Sequence, residues 1–261
     1  MLDPILLIVF GFFIGILASM TGVGGGVFIV PILTFFYEFT PLSSATGTSL
    51  TAIIFTAIAS TINYARQKRI YYKTGLLLAI TAAPGAYFGG WVAKITKEQV
   101  LGIVCGIFLI LVAVRMIFSL AKKKNAEKNV SVKKDMELIS SDKTIIIGVA
   151  LGFFGGFASG LLGIGGGTLI VPIMTFALGM PIHLATATSM FTMIFTATSG
   201  AMEYYQAGLV NLPIALLFAA GTVMGAQIGA FTSGKISSKN LAMLLSIMLI
   251  VAGANMIIKY T

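Results

Sequence analysis

The sequence predicts an all-α polytopic membrane protein made of two homologous halves, and three observations carry that reading. Hydrophobic residues make up 57% of the chain and charged residues 10%, with a mean hydropathy of +1.01, far outside the range of soluble domains. Apolar runs near the roughly 20 residues needed to cross a bilayer lie at about 45–65, 74–93, 98–120, 185–205, 212–233 and 240–258. A ten-residue stretch is also written twice, GVGGGVFIVP from Gly22 to Pro31 and GIGGGTLIVP from Gly163 to Pro172, identical at seven of its ten positions.

The first apolar stretch of each half, Pro4 to Tyr37 and Thr144 to Leu178, exceeds thirty residues and is too long for one crossing at about 1.5 Å per residue. Each holds a glycine cluster near its middle. Glycine costs about 1 kcal/mol relative to alanine inside a helix, so four in five positions should break the helix there. Each half is therefore expected to consist of a glycine-broken first stretch and three long transmembrane helices. No alternation of apolar and polar residues suggests the strands of an outer-membrane barrel. The first run has no basic segment before it and leads directly into further spans, so it reads as a retained span rather than a signal peptide. Cys105 is the only cysteine, which leaves neither a disulfide nor a thiolate metal cluster.

The repeat continues beyond the glycines. ATGTSLTAIIFTA (Ala45 to Ala57) matches ATATSMFTMIFTA (Ala185 to Ala197) at eight of thirteen positions, and Gly85, Ala86 and Gly89 recur as Gly225, Ala226 and Gly229. The GAYFGG and GAQIGA stretches there are small-residue faces suited to close helix packing. Three regions follow: a first membrane repeat over residues 1–120, a linker over 121–143 and a second membrane repeat over 144–261.

Seventeen Lys and Arg face eight Asp and Glu, a net charge of +9, and the excess is clustered. RQKRIYYK (Arg66 to Lys73) carries four basic residues, and the stretch from Ala121 to Lys143 carries seven against four acids. Flanking apolar spans, these clusters read as cytoplasmic loops of an inner-membrane protein rather than as a nucleic-acid footprint. The counterpart of the first, YYQAGLVN (Tyr204 to Asn211), has no basic residue. That asymmetry favours inverted repeats, with equivalent loops on opposite faces. Inversion needs an odd number of crossings per half and gives ten helices in all. Lys94 and Lys97, which this arrangement leaves outside, speak for the alternative of eight.

Two copies of GxGGGxxxVP, each followed by ATxTS and later by GAxxG, resemble the sulfite exporter TauE/SafE family of membrane permeases over nearly the whole chain. The resemblance implies export or import of small sulfur-containing or organic anions, such as sulfite, sulfoacetate, other sulfonates or carboxylates, with no cofactor. The physics of the motif points to an anion independently. A glycine cluster that ends one half-helix and opens another leaves up to four backbone N–H groups unpaired, at an end carrying partial positive charge, and glycine lets a ligand approach the backbone. Gly22, Gly24, Gly25 and Gly26, with Gly163, Gly165, Gly166 and Gly167, are the candidate substrate-binding residues, the two ends meeting near the midplane. Pro31 and Pro172 fit the first turn of the new helices; were the helices to begin further upstream, the prolines would mark kinks. Helix packing alone is the competing account of the glycines.

Hydroxyls at Thr46, Thr48 and Ser49, and at Thr186, Thr188 and Ser189, follow the glycine motif in both copies and could bind oxyanion oxygens. Bonding to the carbonyl four residues earlier, or to a neighbouring helix, is the alternative. Arg115 reads as a snorkelling interfacial residue or an auxiliary that draws anions to the pathway. Glu203 reads as a helix-end residue in a polar loop or a proton-coupling carboxylate, and His183 as an interfacial loop residue.

No paired intramembrane carboxylates, HExxH, Cys/His cluster or nucleophile with a histidine base suggests an enzyme. GVGGG lacks the Gly-Lys-Ser/Thr of a phosphate loop, so ATP is not implied and no metal is expected. The expected function is a secondary transporter of small anions, with a passive anion channel as the alternative. The expected partners are the substrate and the lipid bilayer, not nucleic acid. The sequence leaves a homo-oligomer open.

Overall fold

The structure, a computed structural model, describes residues 4–37, 39–122, 142–233 and 238–261. Ten helices account for nearly all of them. In the first half these are α1 (Pro4–Thr21), α2 (Gly26–Phe36), α3 (Leu42–Arg66), α4 (Tyr72–Ile95) and α5 (Glu98–Lys122). In the second they are α6 (Asp142–Leu162), α7 (Gly167–Pro172), continued by a π-helical turn at Ile173–Ala177, α8 (Ile182–Gln206), α9 (Leu212–Thr232) and α10 (Ser238–Tyr260). Among the described residues α1, α3, α4 and α9 are long and apolar enough to cross a membrane. The glycine-broken stretches each form two helices, as their length requires. With 11 residues, α2 is about 16 Å long, half the thickness of a bilayer core.

The halves are interlocked rather than side by side. Backbone touches backbone along α1 and α9, because Gly11 and Gly15 of α1 face Phe218 and Thr222, while Gly221, Gly225 and Gly229 of α9 face Ile8, Phe12 and Ile16. The contact positions rise together, so these helices run parallel. The same arrangement joins α4 to α6, where Gly85 and Gly89 meet Phe153 and Phe157 and Gly156 and Gly160 meet Ala82 and Ala86. A methyl group at any of these positions would strike main chain, so the small-residue faces serve close packing. Helix one of each half thus packs on helix four of the other.

Equivalent helices run in opposite directions. Gly47, near the start of α3, lies against Tyr204, near the end of α8, and Gly102 and Gly106 of α5 lie against Tyr260 and Ile257 of α10. Two copies whose matching helices pack antiparallel are related by an axis perpendicular to those helices. Hydrogen bonds repeat the symmetry: the Tyr71 N–H donates to Thr188 Oγ1 at 3.0 Å and the Asn211 N–H to Thr48 Oγ1 at 3.0 Å.

This geometry sorts the charges by end. One end of the bundle carries Arg66, Lys68, Arg69 and Lys73 around the α3–α4 turn, Lys122 at the end of α5, and Lys143 and Lys239 at the starts of α6 and α10. The opposite end carries Lys94, Lys97 and Lys259 together with Glu98 and Glu203. Most of the 121–143 linker lies outside the described residues.

Candidate functional site

The two glycine loops cross at the centre of the molecule. Gly22, Gly24 and Gly25 have φ of 79°, 89° and 88°, and Gly163, Gly165 and Gly166 have 70°, 80° and 84°, a left-handed conformation that an L side chain enters only at a cost of about 1–2 kcal/mol. This explains the residue type. Each loop turns the chain back on itself, so that α2 and α7 start inside the bundle beside Ile53 of α3 and Met193 of α8. Gly25 and Gly166 are the residues preceding those helices. The first intrahelical bonds are donated by Phe28 and Ile29 to the Gly25 carbonyl, and by Leu169 and Ile170 to that of Gly166. The N–H groups of Gly26 and Val27, and of Gly167 and Thr168, therefore precede the first helical bonds and belong to the positive ends of the two dipoles.

Each end faces the other loop. A Cβ on Gly26 would meet the Gly163 carbonyl, and one on Gly167 would meet the Gly22 carbonyl. The loops touch in this conformation, and no side chain larger than hydrogen fits between them.

The ATxTS segments brace the loops crosswise. Ser49 Oγ donates to the Gly163 carbonyl at 3.0 Å and Ser189 Oγ to the Gly22 carbonyl at 2.9 Å, so each serine holds the glycine loop of the opposite half. Thr46 donates to Leu42 O at 3.1 Å and Thr186 approaches Thr21 O at 3.5 Å. Thr48 and Thr188 take the N–H groups of Asn211 and Tyr71 described above. All six hydroxyls are buried and all six have protein partners. The structure thus brings the glycines and serines of both motifs together, with Thr46 and Thr186 against them, and places Thr48 and Thr188 one turn away at the helix junctions.

Four expectations require correction. Pro31 is the sixth residue of α2 and lies inside it, and Pro172 ends α7, so neither is a helix-start proline. The left-handed glycines start the helices earlier than the prolines suggested. Proline leaves the carbonyl four residues back without its helical donor, and after Pro172 the chain relaxes into the π-helical turn. Thr34 and Thr175 cap neighbouring carbonyls there, donating to Pro31 O at 3.0 Å and to Pro172 O at 3.1 Å. Glu203 is not in a loop: it lies within α8, 4% exposed, and forms an ion pair with Lys94 of α4. The pair accounts for Lys94, whose charge spoke against inversion. His183 belongs to the first turn of α8 rather than to the loop before it. Arg115 belongs to α5, away from the glycine loops in sequence, and its side chain lies outside the described residues.

Some polar residues escaped sequence reasoning. Lys94 was seen only as a topological anomaly, because its partner is more than a hundred residues away. Asn211 caps α9 by accepting the Ile214 N–H at 3.2 Å while its own N–H serves Thr48. An Asn-Leu-Pro start before an apolar run is a legible cap signal. Of two apolar cavities, one of about 380 Å³ runs along α2 from Val27 at its start and is closed by Val251 and Asn255 of α10, and the other, of about 660 Å³, is lined by residues of α4, α6 and Ser199 of α8.

Comparison with known proteins places the chain in a family. The model of the sulfite exporter TauE/SafE family matches residues 7–256. The chain is 34% identical over 268 residues to the probable membrane transporter protein YunE of Bacillus subtilis, with 97% of each chain covered. It is 34% identical over 267 residues to a probable membrane transporter protein of Methanocaldococcus jannaschii, covering 97% of this chain and 95% of that one. No solved structure matches the chain. With the family pattern running from α1 to α10 and relatives aligned end to end, the chain belongs to the sulfite exporter TauE/SafE family and is a multi-pass membrane transporter, not an enzyme.

Proposed function

We propose that the protein is a secondary transporter of small anions, sulfite, organosulfonates or related carboxylates, which bind where the two glycine loops cross. One observation carries the reading: two half-length helices begin at left-handed glycines in the middle of the bundle, each with its N-terminal end turned toward the other half. Broken helices of this kind bind anions without a buried basic side chain. The bound anion would replace the carbonyl that each helix end now faces, so the contact between the loops corresponds to a closed state. The binding groups are the N–H groups at Gly26, Val27, Gly167 and Thr168, with Ser49 and Ser189 close enough to exchange a loop carbonyl for an anion oxygen.

The orientation belongs to the same proposal. The end bearing Arg66, Lys68, Arg69 and Lys73 is cytoplasmic, which makes the halves, residues 1–120 and 144–261, inverted repeats joined by a cytoplasmic linker at 121–143. Antiparallel equivalent helices support this, as does the Lys94–Glu203 pair, which neutralises one of the few basic residues at the other end. The test is thermal stability of the purified protein with sulfite, methanesulfonate, sulfate and small carboxylates, since a ligand that binds the folded state raises the midpoint. Stabilisation by sulfite or a sulfonate, with flux of the same anion into proteoliposomes, supports the reading. No stabilisation and no flux by any of them would overturn it.

A further inference from the structure

The internal symmetry provides a control for every polar residue, because the second copy shows what the fold alone requires. Tyr64 is fully buried and its hydroxyl donates to the Ser19 carbonyl at 2.7 Å. The second copy repeats this bond: Tyr204 donates to the Gly160 carbonyl at 2.8 Å. The chain then turns identically, the Arg69 N–H bonding to Tyr64 O and the Leu209 N–H to Tyr204 O. A scaffold of one tyrosine and one carbonyl therefore suffices for both halves.

Only the first copy adds a guanidinium and two serine hydroxyls to that scaffold; the second has the Lys94–Glu203 ion pair beside it. The Arg69 guanidinium donates to Ser233 Oγ at 3.3 Å, which also accepts from the Tyr64 hydroxyl at 3.1 Å and donates to the Ala230 carbonyl at 3.0 Å, a bond that an anion oxygen would have to replace. The Ser19 hydroxyl, fully buried, has no hydrogen-bond partner among the described residues. The symmetry-equivalent positions hold Leu209, Ala93 and Gly160, none of which can donate from a side chain. Arg69 is half-buried, and among the described residues no carboxylate pairs with it. Among the described residues, a half-buried guanidinium with no carboxylate paired to it and a buried hydroxyl with no hydrogen-bond partner are linked through the same tyrosine, a polar arrangement left incomplete.

We infer that Arg69, Ser233 and Ser19, arranged around Tyr64, form an oxyanion capture site at the basic end of the bundle, absent from the opposite end. This inference rests on the anion-transport reading and adds a direction to it. Guanidinium N–H groups and hydroxyls match the oxygens of a sulfite, sulfonate or carboxylate. The location suits the role: Ser19 stands three residues before Gly22, at the end of α1 that feeds the glycine loop. An anion held here is next to the loop that must move to admit it. At the opposite end Leu209 stands in place of the arginine, and Lys94, the cation beside that scaffold, is engaged by Glu203. The protein therefore loads anions from the basic end at lower concentration than from the other, which suits an exporter if that end is cytoplasmic.

The same symmetry supplies test variants compatible with the fold. R69L, S233A and S19G each install the residue that the second copy already carries. Flux of sulfite, methanesulfonate and acetate is measured into oriented proteoliposomes, with saturation curves taken separately from each face, and each variant is checked for a monodisperse peak and wild-type melting. Wild type should half-saturate at a lower anion concentration from the basic face. R69L should raise that value at least about tenfold, the loss expected for one charge-assisted hydrogen bond; S233A and S19G should raise it severalfold. None should change half-saturation from the opposite face. Wild-type flux with equal half-saturation from both faces, or an R69L variant that is unchanged or altered equally on both, would overturn the capture site alone. No wild-type flux of any of the three anions would overturn the parent reading and this one with it.

Discussion

Ser49 on α3 donates its hydroxyl to the carbonyl of Gly163, 114 residues away in the second half. Ser189 does the same for Gly22 in the first. The glycine loops are thus held against one another by crossed struts, and each half needs the other to fix its broken helix. Replacing either serine with alanine leaves a buried carbonyl without that donor, which costs about 1–3 kcal/mol. Ser49→Ala and Ser189→Ala should each lower the melting temperature of the detergent-solubilised protein, and the effect should be similar in both because the geometry is. A wild-type melting temperature in both would show that the loops do not depend on these struts.

The orientation can be read from a pair of equivalent positions. Arg66 and Gln206 end α3 and α8, stand 140 residues apart and are both exposed, yet lie at opposite ends of the bundle. In a Cys105→Ala background, Arg66→Cys should react with an impermeant thiol reagent only from the cytoplasmic face and Gln206→Cys only from the outer face. Labelling of both from one face would contradict inverted halves.

Lys94 and Glu203 make a prediction about coupling between helices. Glu203 is 4% exposed and pairs with Lys94 across α8 and α4. Removing one member leaves the other charge uncompensated, a loss of up to about 3–5 kcal/mol for a buried pair. Lys94→Met should therefore melt well below wild type, whereas the Lys94→Met/Glu203→Gln double mutant should recover most of the loss. The first copy already holds a neutral residue at the position of Glu203, where Asn63 donates to Gln227, the counterpart of Tyr87. A double mutant no more stable than Lys94→Met would mean that the pair is not what holds these helices.

The divided first stretches, the long helices, the repeat and the glycine break were legible in the sequence, because each rests on a run length or an identity that survives without neighbours. The small residues at Gly85, Gly89, Gly225 and Gly229 were legible as packing faces for the same reason. Their partners were not. Nothing local shows that the ATGTS of α3 serves the second glycine cluster rather than the first, since the strut at Ser49 exists only once the halves interlock. Glu203 looked like a loop residue because a lone carboxylate after an apolar run is normally solvated, and its cation was hidden on another helix. Pro31 misled by resembling a helix-start proline: two left-handed glycines had already begun the helix five residues earlier.

Alanine at Gly25 and Gly166 bears on the central proposal, and three terms must be separated. The first is the left-handed backbone, worth about 1–2 kcal/mol for any L side chain. Gly179 isolates it: its φ is +67° and an added Cβ would meet nothing within 4 Å, so Gly179→Ala carries this cost alone. The second is steric. At Gly25 a Cβ would lie 2.8 Å from Ile14 Cγ2, whereas at Gly166 the nearest atoms, of Ile170 and Ser159, are 3.3 Å away. Overpacking costs about 1–3 kcal/mol, so Gly25→Ala should melt lowest, Gly166→Ala above it and Gly179→Ala nearest wild type. The third term is binding, and it should not follow that order. If both helix ends act on one anion, each supplies a comparable share of the positive field, and the two central variants should lose affinity equally despite unequal stability. Gly179→Ala should bind as wild type does. The measurement is equilibrium binding of sulfite or methanesulfonate, whichever stabilises the wild type, to each monodisperse variant below its melting temperature. Affinity that falls in step with stability across all three would assign the duplicated glycines to helix packing and remove the anion from the crossing of the loops.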